Sequence, residues 1–246
     1  MLSFTAKITS QIPCLEGDDV HVWKVDLSGS QNSQDVAALT EGERAKINRL
    51  KHSKHRLRAV AMRVQLRHLL GVYLCVNPAE IVFQKAEFGK PFVPNVPISF
   101  SVSHSGSIAL VAISLNNVVG IDVERWRELD NLSALVRRNF SSAEKTQWEE
   151  IADDQREAVF FNIWSCKEAF IKATGRGLGM GVSSCSFDLN RPHKMTECPS
   201  EYGEVFEWSS VPLNVAESAS ASLLVRAKTS QPLLCHFDSE NPPQMV

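Results

Sequence analysis

No two of the six cysteines stand close enough to form a C-x-x-C pair. Cys14, Cys75, Cys166, Cys185, Cys198 and Cys235 are scattered over 246 residues. That excludes the usual zinc cage and suits reduced, mostly buried thiols in a cytoplasmic protein. A long apolar run is also missing, so no membrane span is expected. The opening MLSFTAKITSQIP has no basic start followed by an apolar stretch, so no signal peptide is expected. Positive charge is not in excess. Lys and Arg number 26 against 28 Asp and Glu, a net charge of -2. Bulk binding to nucleic acid is therefore not expected, and only a local basic patch could hold a polyanion. No short repeat is visible. What remains is an ordinary globular composition, 43% hydrophobic and 22% charged, with enough apolar mass for a core without disulfides.

Along the chain, HVWKVDL (His21 to Leu27) reads as a strand. The polar loop SGSQNSQ follows. Thr40 and Glu43 have capping-box spacing ahead of ERAKINRL. A longer helix runs from about Ser53 to Cys75. Its apolar positions are Leu57, Val60, Ala61, Val64, Leu69 and Leu70. Arg56, Arg58, Arg63 and Arg67 form a basic face, solvated by default. Pro78 ends it. Strands are then expected in IVFQK, ISFSVS, SIALVAISL and VVGIDVE, with a hairpin turn at Asn116-Asn117. Helices follow from Leu129 to Phe140, from Glu144 to Ile151 behind a Ser141/Glu144 capping box, and from about Gln155 to Thr174. The pattern returns to strands in SCSFDL, GEVFEW, ASASLLVRA and LLCHF, and SENPPQMV closes as a loose tail. The order suggests an α+β protein of two similar halves, 1–117 and 118–246.

Four segments could carry chemistry. Asp122 and Glu124 alternate on a strand, so both carboxylates share a face. Such a pair suits a hard divalent cation; the plain alternative is two solvated acids. In FFNIWSCKEAFIKATGRG, Trp164, Glu168 and Lys172 lie on one helical stripe in an apolar setting that also contains Lys167. The alternative there is a common i,i+4 ion pair. In FGKPFVPNVPISFSVSHSG, Lys90 and Pro91 sit in an extended loop, and Ser103 and His104 end a strand at a turn able to hold phosphate oxygens. Simple turn chemistry is the alternative. Lys46 and Arg49 precede the basic helix face.

Together these segments resemble the surfactin-type family of 4′-phosphopantetheinyl transferases. The strings that carry the resemblance are GKP (Gly89 to Pro91), SVSHSG (Ser101 to Gly106), GIDVE (Gly120 to Glu124) and WSCKEAFIKATGRGL (Trp164 to Leu178). G-x-D-x-E and W-x-x-K-E-x-x-x-K both appear unbroken and in order. The resemblance implies two α/β halves related by a pseudo-twofold axis, with coenzyme A in the cleft between them. It implies magnesium, with manganese as a substitute, on Asp122, Glu124 and Glu168. Coenzyme A contacts are implied at Lys46, Arg58, Lys90, Pro91, Ser103, His104, Lys167 and Lys172. Glu43 and His55 depart from residues seen in parts of the family.

The implied reaction is attack by a serine of an apo acyl or peptidyl carrier protein on the β-phosphate of coenzyme A. Adenosine 3′,5′-bisphosphate leaves, with Glu168 as general base and Lys172 at the leaving phosphate. A pyrophosphohydrolase acting on coenzyme A would need the same carboxylates, and would release phosphopantetheine without any carrier. A non-catalytic coenzyme A or carrier-binding protein would bind without Glu168 and transfer nothing. Two fused halves make a monomer the expected state.

Overall fold

The computed structural model describes residues 2–4, 11–12, 14–28, 36–115, 117–227, 231–237 and 244–245. Asn116 of the expected hairpin, most of SGSQNSQ and most of the closing SENPPQMV lie outside the described residues.

The chain forms an α+β structure around two four-stranded sheets. Its short first strands are β1 (Leu2–Ser3) and β2 (Gln11–Ile12); β3 (Val20–Asp26) is the first long one. Thr40 and Glu43 make the reciprocal capping box that opens α1 (Glu41–Asn48). Helix α2 (Ser53–Leu74) ends where Cys75 turns left-handed at φ 53, just ahead of the short turn opened by Asn77 and Pro78. Strands β4 (Gln84–Lys85), β5 (Pro91–Phe92), β6 (Ile98–Ser105), β7 (Ile108–Leu115) and β8 (Val119–Arg125) follow. Then come α3 (Leu132–Asn139), α4 (Ser142–Trp148) behind its own capping box, and α5 (Arg156–Thr174). Strands β9 (Ser186–Asp188), β10 (Arg191–Glu197), β11 (Ser209–Asn214), β12 (Ala219–Val225), β13 (Leu233–Phe237) and β14 (Gln244–Met245) complete the order.

One sheet runs β13-β3-β7-β6 and the other β1-β11-β12-β8. The sheets exchange their outermost strands, since β1 pairs with β11 and β13 with β3. Alternation along the strands builds three apolar layers. Trp23, Val25, Val111 and Ile113 pack under α2, with Leu66, Leu69 and Leu70. Val20, Val22, Leu110 and Ala112 face Ile121, Val123, Leu223 and Val225 between the sheets. Phe161, Phe170 and Leu224 join α5 to the outer face of the second sheet. Each half is thus a sheet backed by one long helix.

Some expectations need correction. IVFQK is a strand only at Gln84–Lys85, and GEVFEW holds a 3-10 turn at Val205–Glu207 in place of a strand. β10 and β11 were not anticipated, because Pro192 and Pro212 lower the strand signal. The last residues include β14, which pairs with β2. Leu57 is 67% exposed and outside the core of α2. Among the described residues, no helix is long and apolar enough to cross a membrane.

Candidate active site

The two sheets meet along β6 and β8, each the last strand of its sheet. Among the described residues, no backbone ladder joins them. Serine hydroxyls on alternate residues of β6 accept the backbone N–H groups of alternate residues of β8. Ile121 N donates to Ser101 Oγ at 3.1 Å, Val123 N to Ser103 Oγ at 3.3 Å, and Arg125 N to Ser105 Oγ at 3.0 Å. Strand-edge donors that would otherwise be unpaired are satisfied across the junction. Period-two alternation then turns Ile121 and Val123 into the inter-sheet layer and Asp122 and Glu124 the other way.

Helix α5 packs over that acidic side of β8 at backbone contact. A Cβ on Gly120 would lie 1.9 Å from the Ala169 carbonyl oxygen and 2.4 Å from the Ala173 nitrogen. Only glycine permits such an approach. Ser165 and Cys166 reach Ser222, the residue opposite Asp122, at 2.8 and 3.2 Å. Glu168 and Lys172, one turn apart, are thereby brought beside Asp122.

Lys172 does not form the simple helix pair with Glu168. Its Nζ lies 2.6 Å from Asp122 Oδ1 and donates to Ser103 Oγ at 2.8 Å. Asp122 is buried, and its second oxygen, Oδ2, has no hydrogen-bond partner. A buried carboxylate oxygen left without a donor is costly. Glu124 is reached by Ser105 at 3.4 Å and Arg127 at 3.3 Å. Burial, followed by the Asp122 charge, pushes its pKa up. Glu168 is pushed up to about 7, first by burial and then by Asp122. Three mutually destabilising carboxyl groups with an orphaned oxygen form a donor set suited to a hard cation. Among the described residues, however, no three acidic, histidine or cysteine side chains are pre-arranged as a metal cage.

Glu168 and Lys172 line a cleft of about 310 Å³ with Lys90, Pro91 and Phe88. A second cleft of about 260 Å³ lies across Pro91 and Val102, with Lys46, Arg63 and His104 on its walls. His104 is held below its ordinary pKa by desolvation and by the positive charges of Lys172 and Arg58. Arg58, Lys46 and His104 therefore gather on the first-sheet side, and the carboxylates on the β8 side.

Three expected contacts point elsewhere. Lys167, expected at coenzyme A, has no exposed surface: it pairs with Glu144 at 2.8 Å and donates to the Val182 and Cys185 carbonyls. Its helix position, about 100° round from Glu168, turns it away from the cleft. Lys90 borders the cleft, but its Nζ donates at 3.0 Å to both the Val119 and Ala173 carbonyls, tying β8 to α5. Burial lowers its pKa to about 8. The hydroxyl of Ser103 is taken up by Val123, Lys172 and Asp122. Arg67 is not part of a solvated basic face; it is 1% exposed, bound to Glu43 and to the Pro78 and Ile81 carbonyls. Gly120 and Ser222 were missed as site-building residues. The glycine inside a strand pattern was the one available signal, since it marks close backbone approach.

These features define a two-halved α+β protein whose inter-sheet junction opposes carboxylates to cations, as phosphate chemistry requires. Residues 118–223 match the model of the 4′-phosphopantetheinyl transferase superfamily, and residues 23–116 match that of the 4′-phosphopantetheinyl transferase N-terminal region. The chain belongs to the 4′-phosphopantetheinyl transferase superfamily, a family of enzymes. It is 32% identical over 230 residues to the 4′-phosphopantetheinyl transferase HetI of Nostoc sp., covering 91% of this chain and 94% of that one. It is 30% identical over 182 residues to a 4′-phosphopantetheinyl transferase of Bacillus subtilis, covering 73% and 80%. It is 27% identical to 4′-phosphopantetheinyl transferase Sfp of Bacillus subtilis strain 168 over the same shares.

Proposed function

We propose that this enzyme transfers 4′-phosphopantetheine from coenzyme A to a serine of an apo acyl or peptidyl carrier protein. The products are the holo carrier and adenosine 3′,5′-bisphosphate. The observation that supports this most directly is the meeting of Lys172 and Asp122 beside Glu168 at one cleft, next to a second cleft that shares Pro91 and Val102 with it and has Lys46 and His104 on its walls.

Lys46, Arg58 and His104 hold the 3′-phosphate and adenosine end, where the charges of Lys46 and Arg58 offset the anion and the His104 ring offers a hydrogen bond. Lys90 and Pro91 shape the wall over which the pyrophosphate passes. Asp122, Glu124 and Glu168 hold magnesium, or manganese in its place, and the orphaned Asp122 Oδ2 is the oxygen best placed by its lack of a partner. When bound, the ion supplies positive charge against the pyrophosphate oxygens. Glu168 takes the proton of the carrier serine. The serine oxygen bonds to the β-phosphorus as the bridging oxygen leaves with the α-phosphate. Lys172 faces the charge that develops there. Both halves lie within one chain, so a monomer is sufficient.

Glu168→Gln tests this reading. Shape is kept while charge and proton acceptor are lost, so transfer should fall about a hundredfold or more, with a melting temperature no lower than that of the parent, since the charge removed is disfavoured by burial and by Asp122. A well-folded variant with a near-normal rate would remove Glu168 from the mechanism.

A further inference from the structure

Away from the cleft, β9 and β10 form an antiparallel hairpin packed against α5. Its last paired residues are Ser186 and Glu197. Their side chains meet on one face, where Ser186 Oγ donates to Glu197 Oε2 at 3.0 Å. The next residue on each strand is a cysteine, Cys185 before Ser186 and Cys198 after Glu197. Cys185 keeps an extended backbone, φ -116 and ψ 151, and Pro199 biases Cys198 the same way. Alternation therefore turns both thiols to the face opposite Ser186 and Glu197.

That face is the core of the second half. Cys185 is buried in it, and the half-buried Cys198 packs against the same cluster of Phe161, Phe170, Phe187 and Trp208. Directly opposed residues of an antiparallel pair have Cα atoms about 4.5–5.5 Å apart, inside the span of about 4.4–6.8 Å that a disulfide bridges. Burial pushes the Cys185 thiol up to about 12, and the nearby Cys198 is among the groups that add to the rise. Each sulfur now donates only to a carbonyl, Cys185 to Val182 at 3.9 Å and Cys198 to Gly203 at 3.3 Å. Thiols are weak donors, so little is lost if both are oxidised. Cys166 shares this core, but its sulfur is held at 3.2 Å by both the Pro192 carbonyl and Ser222.

We propose that Cys185 and Cys198 are a redox-responsive pair, a dithiol under reducing conditions and a cross-strand disulfide when a low-molecular-weight disulfide is in excess. Cys198, the more accessible sulfur, attacks first as its thiolate. One sulfur of the small disulfide bonds to Cys198 and the other leaves as a thiolate. The Cys185 thiolate then attacks the Cys198 sulfur, and the second small thiolate leaves. The two cysteines are oxidised, the small disulfide is reduced to two thiols, and those thiols take up the cysteine protons. The bond closes a short loop, so it acts mainly by limiting the unfolded chain. It also holds the turn whose Val182 and Cys185 carbonyls receive Lys167. Neither cysteine lines the cleft that contains Glu168 and Lys172. The device is a staple of the second half, independent of the transfer reaction.

The experiment incubates the native protein with oxidised glutathione, at mildly alkaline pH because burial raises the Cys198 thiol above its ordinary pKa. Remaining thiols are alkylated, the peptides are mapped by mass spectrometry, and melts are compared before and after dithiothreitol. A Cys185–Cys198 link should form without denaturant. It should raise the melting temperature by roughly 4–10 °C, the scale for a short loop in a chain of this size, and dithiothreitol should remove the gain. Cys185→Ala should stop at a glutathione adduct on Cys198. Cys198→Ser, at the less buried position, should form no such link and lose the shift. Adducts on the exposed Cys14 and Cys75, with Cys185 and Cys198 recovered as separate thiols, would overturn the proposal. So would a link from either residue to Cys166, or a Cys185–Cys198 link that appears only in urea. A native link that lowers the melting temperature would overturn the staple.

Discussion

A single added methyl at Gly120 should separate the two halves of the active site. In Gly120→Ala the new Cβ would lie 1.9 Å from the Ala169 carbonyl oxygen, 2.4 Å from the Ala173 nitrogen and 2.8 Å from the Ala173 Cβ. Two of these neighbours are helix backbone and cannot rotate away. Helix α5 must retreat about 1.5 Å to restore an ordinary contact of 3.4 Å. That movement strains the Lys90 bonds to Val119 and Ala173, both 3.0 Å, and the 2.6 Å contact of Lys172 with Asp122. Overpacking of this kind costs about 3 kcal/mol, the upper part of the usual range. For a chain of this size it lowers the melting temperature by roughly 6–12 °C. Displacing a catalytic group by about 1 Å costs on the order of a hundredfold in rate. The KM for coenzyme A should change less, since Lys46, Arg58 and His104 stand on the other sheet's side. Circular-dichroism melts and a carrier-modification assay measure both effects. A variant that melts within about 2 °C of the parent and transfers at a similar rate would refute the close-approach argument.

Two other perturbations address neighbouring parts of the account. Lys167→Met should leave the fully buried Glu144 carboxylate without its cation and destabilise the fold by about 3–5 kcal/mol in urea unfolding; the KM for coenzyme A should stay near that of the parent, and a large rise would restore Lys167 as a ligand. Burial lowers the pKa of His193 from 6.5 to about 4. Between those values the unfolded chain binds the proton and the folded one does not, so stability rises with pH there, and it is lost as pH falls from 6.5 toward 4. The full effect is about 3 kcal/mol, and unfolding curves of His193→Asn should lack that part of the slope.

Much of this site was legible in the sequence, for local reasons. Alternation alone placed Asp122 and Glu124 on one face, and helical spacing placed Glu168 and Lys172 on one stripe. What sequence could not supply were partners distant in the chain. Lys172 meets Asp122 and Ser103, not Glu168, because α5 lies across β8. Arg67 looked like one more solvated arginine, yet its acceptors come from Glu43 and from the segment past Pro78. Lys167 shared a motif with Glu168, but adjacent helix positions point about 100° apart. Its ammonium is drawn into a buried pair with Glu144, the same glutamate that caps α4. The capping boxes at Thr40 and Ser141 were legible because both partners lie within four residues. β10 and β11 were not, because their prolines argue locally against strands that sheet pairing sustains.

The central claim, transfer of phosphopantetheine from coenzyme A to a carrier serine, is tested most directly by intact-mass spectrometry. Several apo acyl and peptidyl carrier proteins are incubated with this protein, coenzyme A and magnesium, with and without a strong chelator. The account predicts that at least one carrier gains the mass of one phosphopantetheine, that the gain disappears with chelator, and that it maps to a single serine. Release of phosphopantetheine from coenzyme A without any carrier, or carriers of unchanged mass throughout, would contradict it.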